Sequence, residues 1–188
     1  MVVQAVDEFV EIPVLCDHGG RLPKSVGEGS RVLLLDYAGN IAPTLRLYKE
    51  ARLRGARVIC VTSGGKLRDA ATKDGTRIVR IPPGQPSRSA IGYLFIPAVM
   101  LFDQFGLVSG LGERLSYGIR LMKNVREGIR FENVTARNIA KQMAHTFFGK
   151  TTIIYGAPDY RLAVAARWKS QINAYAKSPA FTSSFPDA

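Results

Sequence analysis

The sequence predicts an α/β protein: a three-layer α/β/α arrangement in which helices flank a parallel sheet, followed by an extended helical C-terminal part. Two observations carry that reading. Short apolar runs at 31–36, 57–62 and 76–81 alternate with helical segments, the pattern of parallel strands joined by crossovers. A strand, a Gly turn and a helix also recur weakly at 32–54, 58–73 and 151–177.

Each element has a local cause. "IPVLC" at 12–16 reads as a short first strand and 31–36 as the second. In "IAPTLRLYKEARLRG", Leu45, Leu47, Tyr48 and Ala51 fall on one helical face, and Arg46, Lys49, Glu50 and Arg52 on the other. Pro43 suits the first turn and Gly55 the stop. "RVICVT" (57–62) and "TRIVRI" (76–81) are the next strands, with a short helix between them. "SRSAIGYLFIPAVMLFDQF" is apolar all round, so it is expected to pack on both sides. Pro97 is expected to kink it, and Ile91→Asp to unfold the protein. "GERLSYGIRLMKNVREGI" and "NVTARNIAKQMAHTFFG" read as surface helices, the second with a stripe of Ile139, Met143 and Phe147. A strand at 151–156 leads into a long helix, 159–177, and the last eleven residues read as a short, partly ordered tail.

Length and composition bound the function. The chain of 188 residues suffices for one domain with a real core, or for pieces of two. A net charge of +11 fits either an anionic partner or a solubilising surface. The basic residues are spread in ones and twos, so nucleic acid is not an expected partner. There are two cysteines, Cys16 and Cys60, and no CxxC or Cys/His cluster, so no zinc site is expected; Cys60 should be buried. The N-terminus lacks the basic-then-apolar pattern of a signal peptide. The longest apolar run, 90–102, is too short to span a bilayer. The expectation is a soluble cytoplasmic protein with no membrane contact and no metal or nucleotide cofactor.

In an open parallel sheet, ligands bind beyond the carboxyl ends of the strands. Three turns are expected there. "DYAGN" (36–40) offers the backbone of Gly39 and Asn40, but Asp36 would repel a phosphate, and Ala38 and Ile41 bring no hydroxyl. "TSGGK" offers Thr62, Ser63, the pair Gly64 and Gly65, and Lys66. That set can form an anion nest or an ordinary turn with a solvated lysine. "YGAPD" reads as structural, with Asp159 as a helix cap. Of the two histidines, His145 lies beside packing residues, and His18 in "CDHGG" is a loop residue capable of acid–base work.

"PSRSAIGYLFIPAVML", "VICVTSGGKL" and "IIYGAPDYRLAVAARWKSQINAYAKSPAF" together resemble the bifunctional phosphoglucose/phosphomannose isomerase family, of the sugar isomerase (SIS) fold. The resemblance runs from about residue 10 to the end and implies a sugar-phosphate ligand such as fructose 6-phosphate. The implied reaction is aldose–ketose interconversion through an enediolate. It also implies that the 36–41 turn corresponds to a Ser-x-Ser-Gly-x-Thr phosphate loop, which here reads Asp-Tyr-Ala-Gly-Asn-Ile. Only Gly39 and Asn40 survive, so the loop looks disarmed. The family's catalytic glutamate position, in Asn-Glu-Asn-Ala-Lys, holds Ala174. Arg88 matches the arginine expected to steady the enediolate, and Lys66 a basic residue after the second Gly turn. A Gly-x-Gly-Gly-Ser loop upstream and a catalytic histidine downstream are expected to lie outside the chain.

Three expectations follow from the resemblance. One SIS-like unit, truncated or degenerate and lacking its first strand and helix, spans 1–108; a helical connector spans 109–149; the beginning of a second unit spans 150–188. The 151–155 strand is expected to fill the gap in the first sheet, in the same chain or by swapping within a homodimer. The function expected is a sugar-phosphate-binding protein with catalysis lost or impaired. The alternatives are an isomerase completed by another subunit or by other residues, with His18 and Arg88 as suspects, and a fragment or scaffold without activity of its own.

Overall fold

The structure, a computed structural model, describes residues 2–6, 9–16 and 20–185. Its contacts divide the chain into two compact units, one bodied by Val6–Ser109 and the other by the residues from Gly110 onward. A short helix α1, Val2–Val6, opens the chain.

The first unit is a three-stranded parallel sheet in the order β1 (Arg31–Leu35), β2 (Arg57–Thr62), β3 (Arg77–Arg80). Leu33 faces Ile59, and Ile59 faces Arg77, across the two ladders. The β-branched run at 57–62 becomes the central strand because it is apolar on both faces; every residue after Arg57 is buried. Helices α2 (Ala42–Leu53) and α3 (Gly65–Lys73) are the two crossovers. They share one face, where Tyr48, Ala51, Leu67 and Ala71 pack on Leu34, Val58 and Cys60. Helix α4 (Ile91–Gln104) takes the other face, where Leu101 and Ala90 pack on Ile59, Val61 and Tyr37. The expected three layers are therefore present. Tyr48 also ties α2 to the end of α3, its hydroxyl donating to the Asp74 carboxylate at 2.8 Å.

Two expectations for this unit fail. Residues 12–16 form no strand, and Ile12 and Leu15 are exposed. Pro13, the second residue of this five-residue run, removes a ladder donor, which leaves too few bonds to hold an edge. Helix α4 is not buried all round either. It runs through Pro97 and buries Ala98, Val99 and Leu101, while Tyr93 and Met100 are exposed. Ile91 is only half-buried, so it is not the core anchor its apolar context suggested.

In the second unit, helix α5 (Leu111–Gly128) is followed by a 3-10 turn at Thr135–Arg137 and by α6 (Ile139–Phe147). The single helix expected over 133–149 is broken because buried Asn138 caps α6, accepting from Lys141 N–H at 3.2 Å and donating to Arg130 O at 2.9 Å. Strand β4 (Thr152–Gly156) and helix α7 (Tyr160–Gln171) follow. Asp159 caps α7 as expected, and its hydrogen-bonded neighbour Arg161 holds the carboxyl below the usual range. The long helix does not stay α to 177: Ile172–Ala176 form a π turn, and Lys177 closes it in the left-handed conformation.

The C-terminal segment contains a strand, β5 (Ala180–Ser184), parallel to β4. Its weakly β-prone sequence is ordered by the partner, not by propensity. Strand β4 thus takes β5 as its neighbour and does not join the first sheet of its own chain. Among the described residues, no helix is long and apolar enough to cross a membrane.

Leu101→Asp should unfold the first unit, because it places an unpaired charge in the α4 core. Ile91→Asp should cost less than about half as much; urea midpoints of the two variants check this. The buried Cys60 thiol is pushed up to about 11 by desolvation. An unfolded thiol ionises near 8.5, so between those values the unfolded chain releases a proton that the folded chain keeps. Stability should therefore fall over that range by an amount on the order of 2 kcal/mol that Cys60→Ala does not lose. Denaturation of both proteins at pH 8 and pH 11 measures the difference.

Candidate functional site

The carboxyl ends of β1, β2 and β3 carry the three loops of the candidate site: 36–41, 62–66 and 81–90. Asp36 directly follows β1 and is 1% exposed. Its Oδ1 accepts from Gly39 N–H at 2.8 Å and its Oδ2 from Ile41 N–H at 2.9 Å. These donors sit in the turn that enters α2, where the N-cap residue, Ile41, contributes no side-chain cap. An anion at such a turn is favoured by the aimed N–H groups and the helix dipole. Here the anion belongs to the protein. Asp36 was expected only to repel a phosphate; in the fold it also occupies the donors that a phosphate would use.

The second turn is likewise bound internally. Ser63 N–H and Ser63 Oγ both donate to Tyr37 O, at 2.8 and 2.7 Å. The Thr62 hydroxyl lies 3.3 Å from the same carbonyl and 3.0 Å from Gly64 O. Asn40 Oδ1 accepts from Lys66 N–H at 3.1 Å and so caps α3 from the neighbouring loop. Leu67 N–H donates to Gly39 O at 2.9 Å.

Gly39 and Gly65, at φ +70° and +72°, are where the two loops touch backbone to backbone. A Cβ on Gly39 would lie 1.9 Å from Gly64 O, and one on Gly65 would lie 2.3 Å from Ala38 O. The glycines are thus required by this clasp, whatever else they do.

Tyr37 joins the third loop to the other two, and nothing in the sequence singled it out. Its side chain is buried. Its hydroxyl donates to Pro82 O at 2.9 Å and accepts from Gln85 N–H at 3.0 Å. A tyrosine two residues after an apolar strand gives no signal of a bond 48 residues away.

The fold therefore brings together Gly39, Asn40, Thr62, Ser63, Gly64, Gly65 and Lys66. Arg88 lies on the third loop, exposed, three residues beyond the tether at Gln85. Lys66 is also exposed. Ala174 is half-buried in the π turn of the other unit, and its methyl group cannot accept a proton. His18 lies outside the described residues, and His145 is exposed on α6. Among the described residues, no three His, Cys, Asp or Glu side chains gather as a metal set.

Residues 136–188 match the family described as the bacterial phospho-glucose isomerase C-terminal SIS domain. The chain is 36% identical over 177 residues to a bifunctional phosphoglucose/phosphomannose isomerase of Caldicellulosiruptor bescii, which covers 94% of this chain and 52% of that protein. It is 31% identical over 165 residues to a D-glucosamine-6-phosphate 4-epimerase of Sulfolobus acidocaldarius, covering 87% of this chain and 50% of that one. Among solved structures, a provisionally assigned phosphosugar isomerase of Salmonella typhimurium superposes with a TM-score of 0.60 at 18% identity, over 86% of this chain and 49% of the other. The chain spans about half the length of the curated relatives it matches.

Gly65→Ala should destabilise the first unit by about 3 kcal/mol or more, from the left-handed backbone and the clash with Ala38 O together. Gly75→Ala is the control. Gly75 has a φ of +64° with nothing within 4 Å of its added Cβ, so only the backbone cost of about 1 kcal/mol remains. Comparison of urea midpoints separates the clasp from the conformation.

Proposed function

On the footing that this chain is homologous over nearly its whole length to the bifunctional phosphoglucose/phosphomannose isomerases and has their SIS-type α/β/α fold, we propose that it is a sugar-phosphate-binding protein with catalysis lost or impaired. The observation that supports this reading is the Asp36 carboxylate seated on Gly39 and Ile41 N–H. A phosphate entering that turn would have to displace the carboxylate from both donors. It would also meet a like charge worth about 4 kcal/mol per unit charge at 4 Å and an effective dielectric of 20. That is close to three decades in affinity. Ala174 adds the second deficit, since proton abstraction needs a base and a methyl group is none.

A sugar phosphate would then be held at the rim of the strand ends by the Lys66 and Arg88 cations, with the second turn as its floor. This reading keeps Gly39, Asn40, Thr62, Ser63, Gly64, Gly65, Lys66 and Arg88 as ligand-side residues. It treats 1–108 as one SIS-like unit, 109–149 as a connector and 150–188 as the start of a second unit. The parallel pairing of β4 with β5 across α7 is consistent with that start. A cytoplasmic homodimer belongs to the same proposal.

Calorimetric titration with fructose 6-phosphate, beside inorganic phosphate, tests it together with a turnover assay on the same sample. The expected result is binding no tighter than about 1 mM, weakened in Arg88→Ala, with no aldose phosphate formed. The triple variant Asp36→Ser, Ala38→Ser, Ile41→Thr should bind about tenfold tighter or more, once the like charge is gone. Turnover by the native chain would instead establish the other reading, an isomerase whose activity comes from other residues or another subunit. No heat at tens of millimolar would leave a scaffold without a sugar-phosphate site.

A further inference from the structure

We infer that the second unit carries a self-complementary docking surface for a second copy of this chain, in which Phe131 of each copy enters a cavity beside β5 of the other. This rests on the homodimer included in the function proposed above and names the surface that would form it.

Phe131 is 87% exposed, yet the loop that presents it is pinned. Asn138 Nδ2 donates to Arg130 O at 2.9 Å, and Lys141 Nζ donates to Phe131 O at 2.7 Å and to Asn133 O at 2.8 Å. The same ammonium group lies 5.1 Å from the centre of the Phe131 ring. An aromatic side chain held out on a fixed backbone loses little freedom on docking, which is the character of an interface anchor. Met122 and Val125, three residues apart and both exposed, extend the apolar surface back along α5. The receiving surface belongs to the same unit. Ile153, Tyr155 and Phe181 stand on one face of the β4–β5 pair, and all three are exposed. Phe181 also lines a cavity of about 460 Å³ between the end of α7 and the start of β5, with Pro179 and Ala180 as further apolar walls and Lys169 and Lys177 as charged ones. A cavity of about 150 Å³ already takes a benzene ring.

Size and charge favour a second copy as the occupant. The six side chains, Met122, Val125, Phe131, Ile153, Tyr155 and Phe181, together leave roughly 700 Å² of surface in water. A reciprocal exchange buries that surface in two contacts, about 1,400 Å², which is the size of a specific, stable interface. It also covers both faces on both copies and closes the assembly at two. The chain carries a net charge of +11, so two copies repel one another except where the charge is locally reversed or cancelled. Beside Phe131, Glu127 and Glu132 offset Arg126 and Arg130, and Arg130 holds the two carboxylates at 3.1 and 3.4 Å. In the docked pair the exposed Glu132 carboxylate meets Lys169 and Lys177 at the mouth of the cavity.

Sedimentation velocity on the full chain is the test. The native protein should be a dimer at roughly 10 µM, as an interface of this size allows. Phe131→Ala should raise the dimer dissociation constant about thirtyfold or more. Leu53→Ala, at an equally exposed apolar residue of the first unit, should leave it unchanged. Glu132→Lys and Lys169→Glu should each weaken the dimer about fivefold. An equal mixture of those two variants should dimerise more tightly than either does by itself, because each mixed dimer has one native contact and one with the charges exchanged. The mixing experiment stands on Glu132 and Lys169, so it decides the matter even if Phe131→Ala does not fold. A native chain still monomeric at roughly 100 µM overturns the inference together with the homodimer. A dimer that Phe131→Ala leaves equally tight, or a mixture no tighter than its components, overturns the inference alone and moves the dimer to another surface. Failure of the sugar-phosphate reading shows in the calorimetric titration and leaves the oligomeric state as measured.

Discussion

One buried carboxylate and the two N–H groups that donate to it set the form of the strand ends. A β-strand that turns at once into a helix leaves N–H groups with no partner in either element. Asp36 satisfies two of them from within, at Gly39 and Ile41. With the turn closed on itself, Tyr37 is directed inward and Gly39 is brought against the second turn. From there the order propagates. The Tyr37 carbonyl collects Ser63, and the Tyr37 hydroxyl bridges Pro82 and Gln85.

The consequence for function is a trade between order and availability. A ligand turn keeps donors unsatisfied until the ligand arrives, and that reserve lowers the stability of the empty protein. In this chain the first turn's donors are committed to Asp36, the Ser63 hydroxyl to Tyr37, and the Lys66 N–H to Asn40. On the proposed reading, a ligand would be held chiefly by side-chain charge at the rim. On that reading such charge would attract anions at long range but fix no orientation, which proton transfer between two adjacent carbons requires.

The two units differ in how they are held. In the first, both faces of the sheet are covered and the core is continuous from Leu34 to Leu67 on one side and from Tyr37 to Leu101 on the other. In the second, the parallel pair β4–β5 has α7 against it, with Ala165 and Ala180 buried. Ile153, Tyr155 and Phe181, which share the alternate register positions of the two strands, are exposed. Large apolar side chains in water contribute no burial energy.

Much of the fold was legible in the sequence because its causes are local. Periodicity marked α2. Continuous apolar runs marked β1 and β2, and the Gly turns located the strand ends. The ambiguous pieces were those whose state depends on a distant partner. Residues 12–16 are the more apolar run and 180–184 the more polar one; the second is nonetheless a strand because β4 lies beside it, and the first pairs with no strand. Ile91 and Leu101 lie on the same apolar helix, and only packing against the sheet distinguishes the half-buried residue from the core one. At the site, residue types alone told that the turn at 36–41 has no serine or threonine hydroxyl and carries an acid. That the acid turns inward and fills the turn, and that the second turn's hydroxyls and Tyr37 are spent on bonds between loops, only the tertiary structure decided. Hydrogen bonds between residues 25 to 48 positions apart are set by which strand ends the sheet places side by side, and no local pattern encodes that neighbourhood.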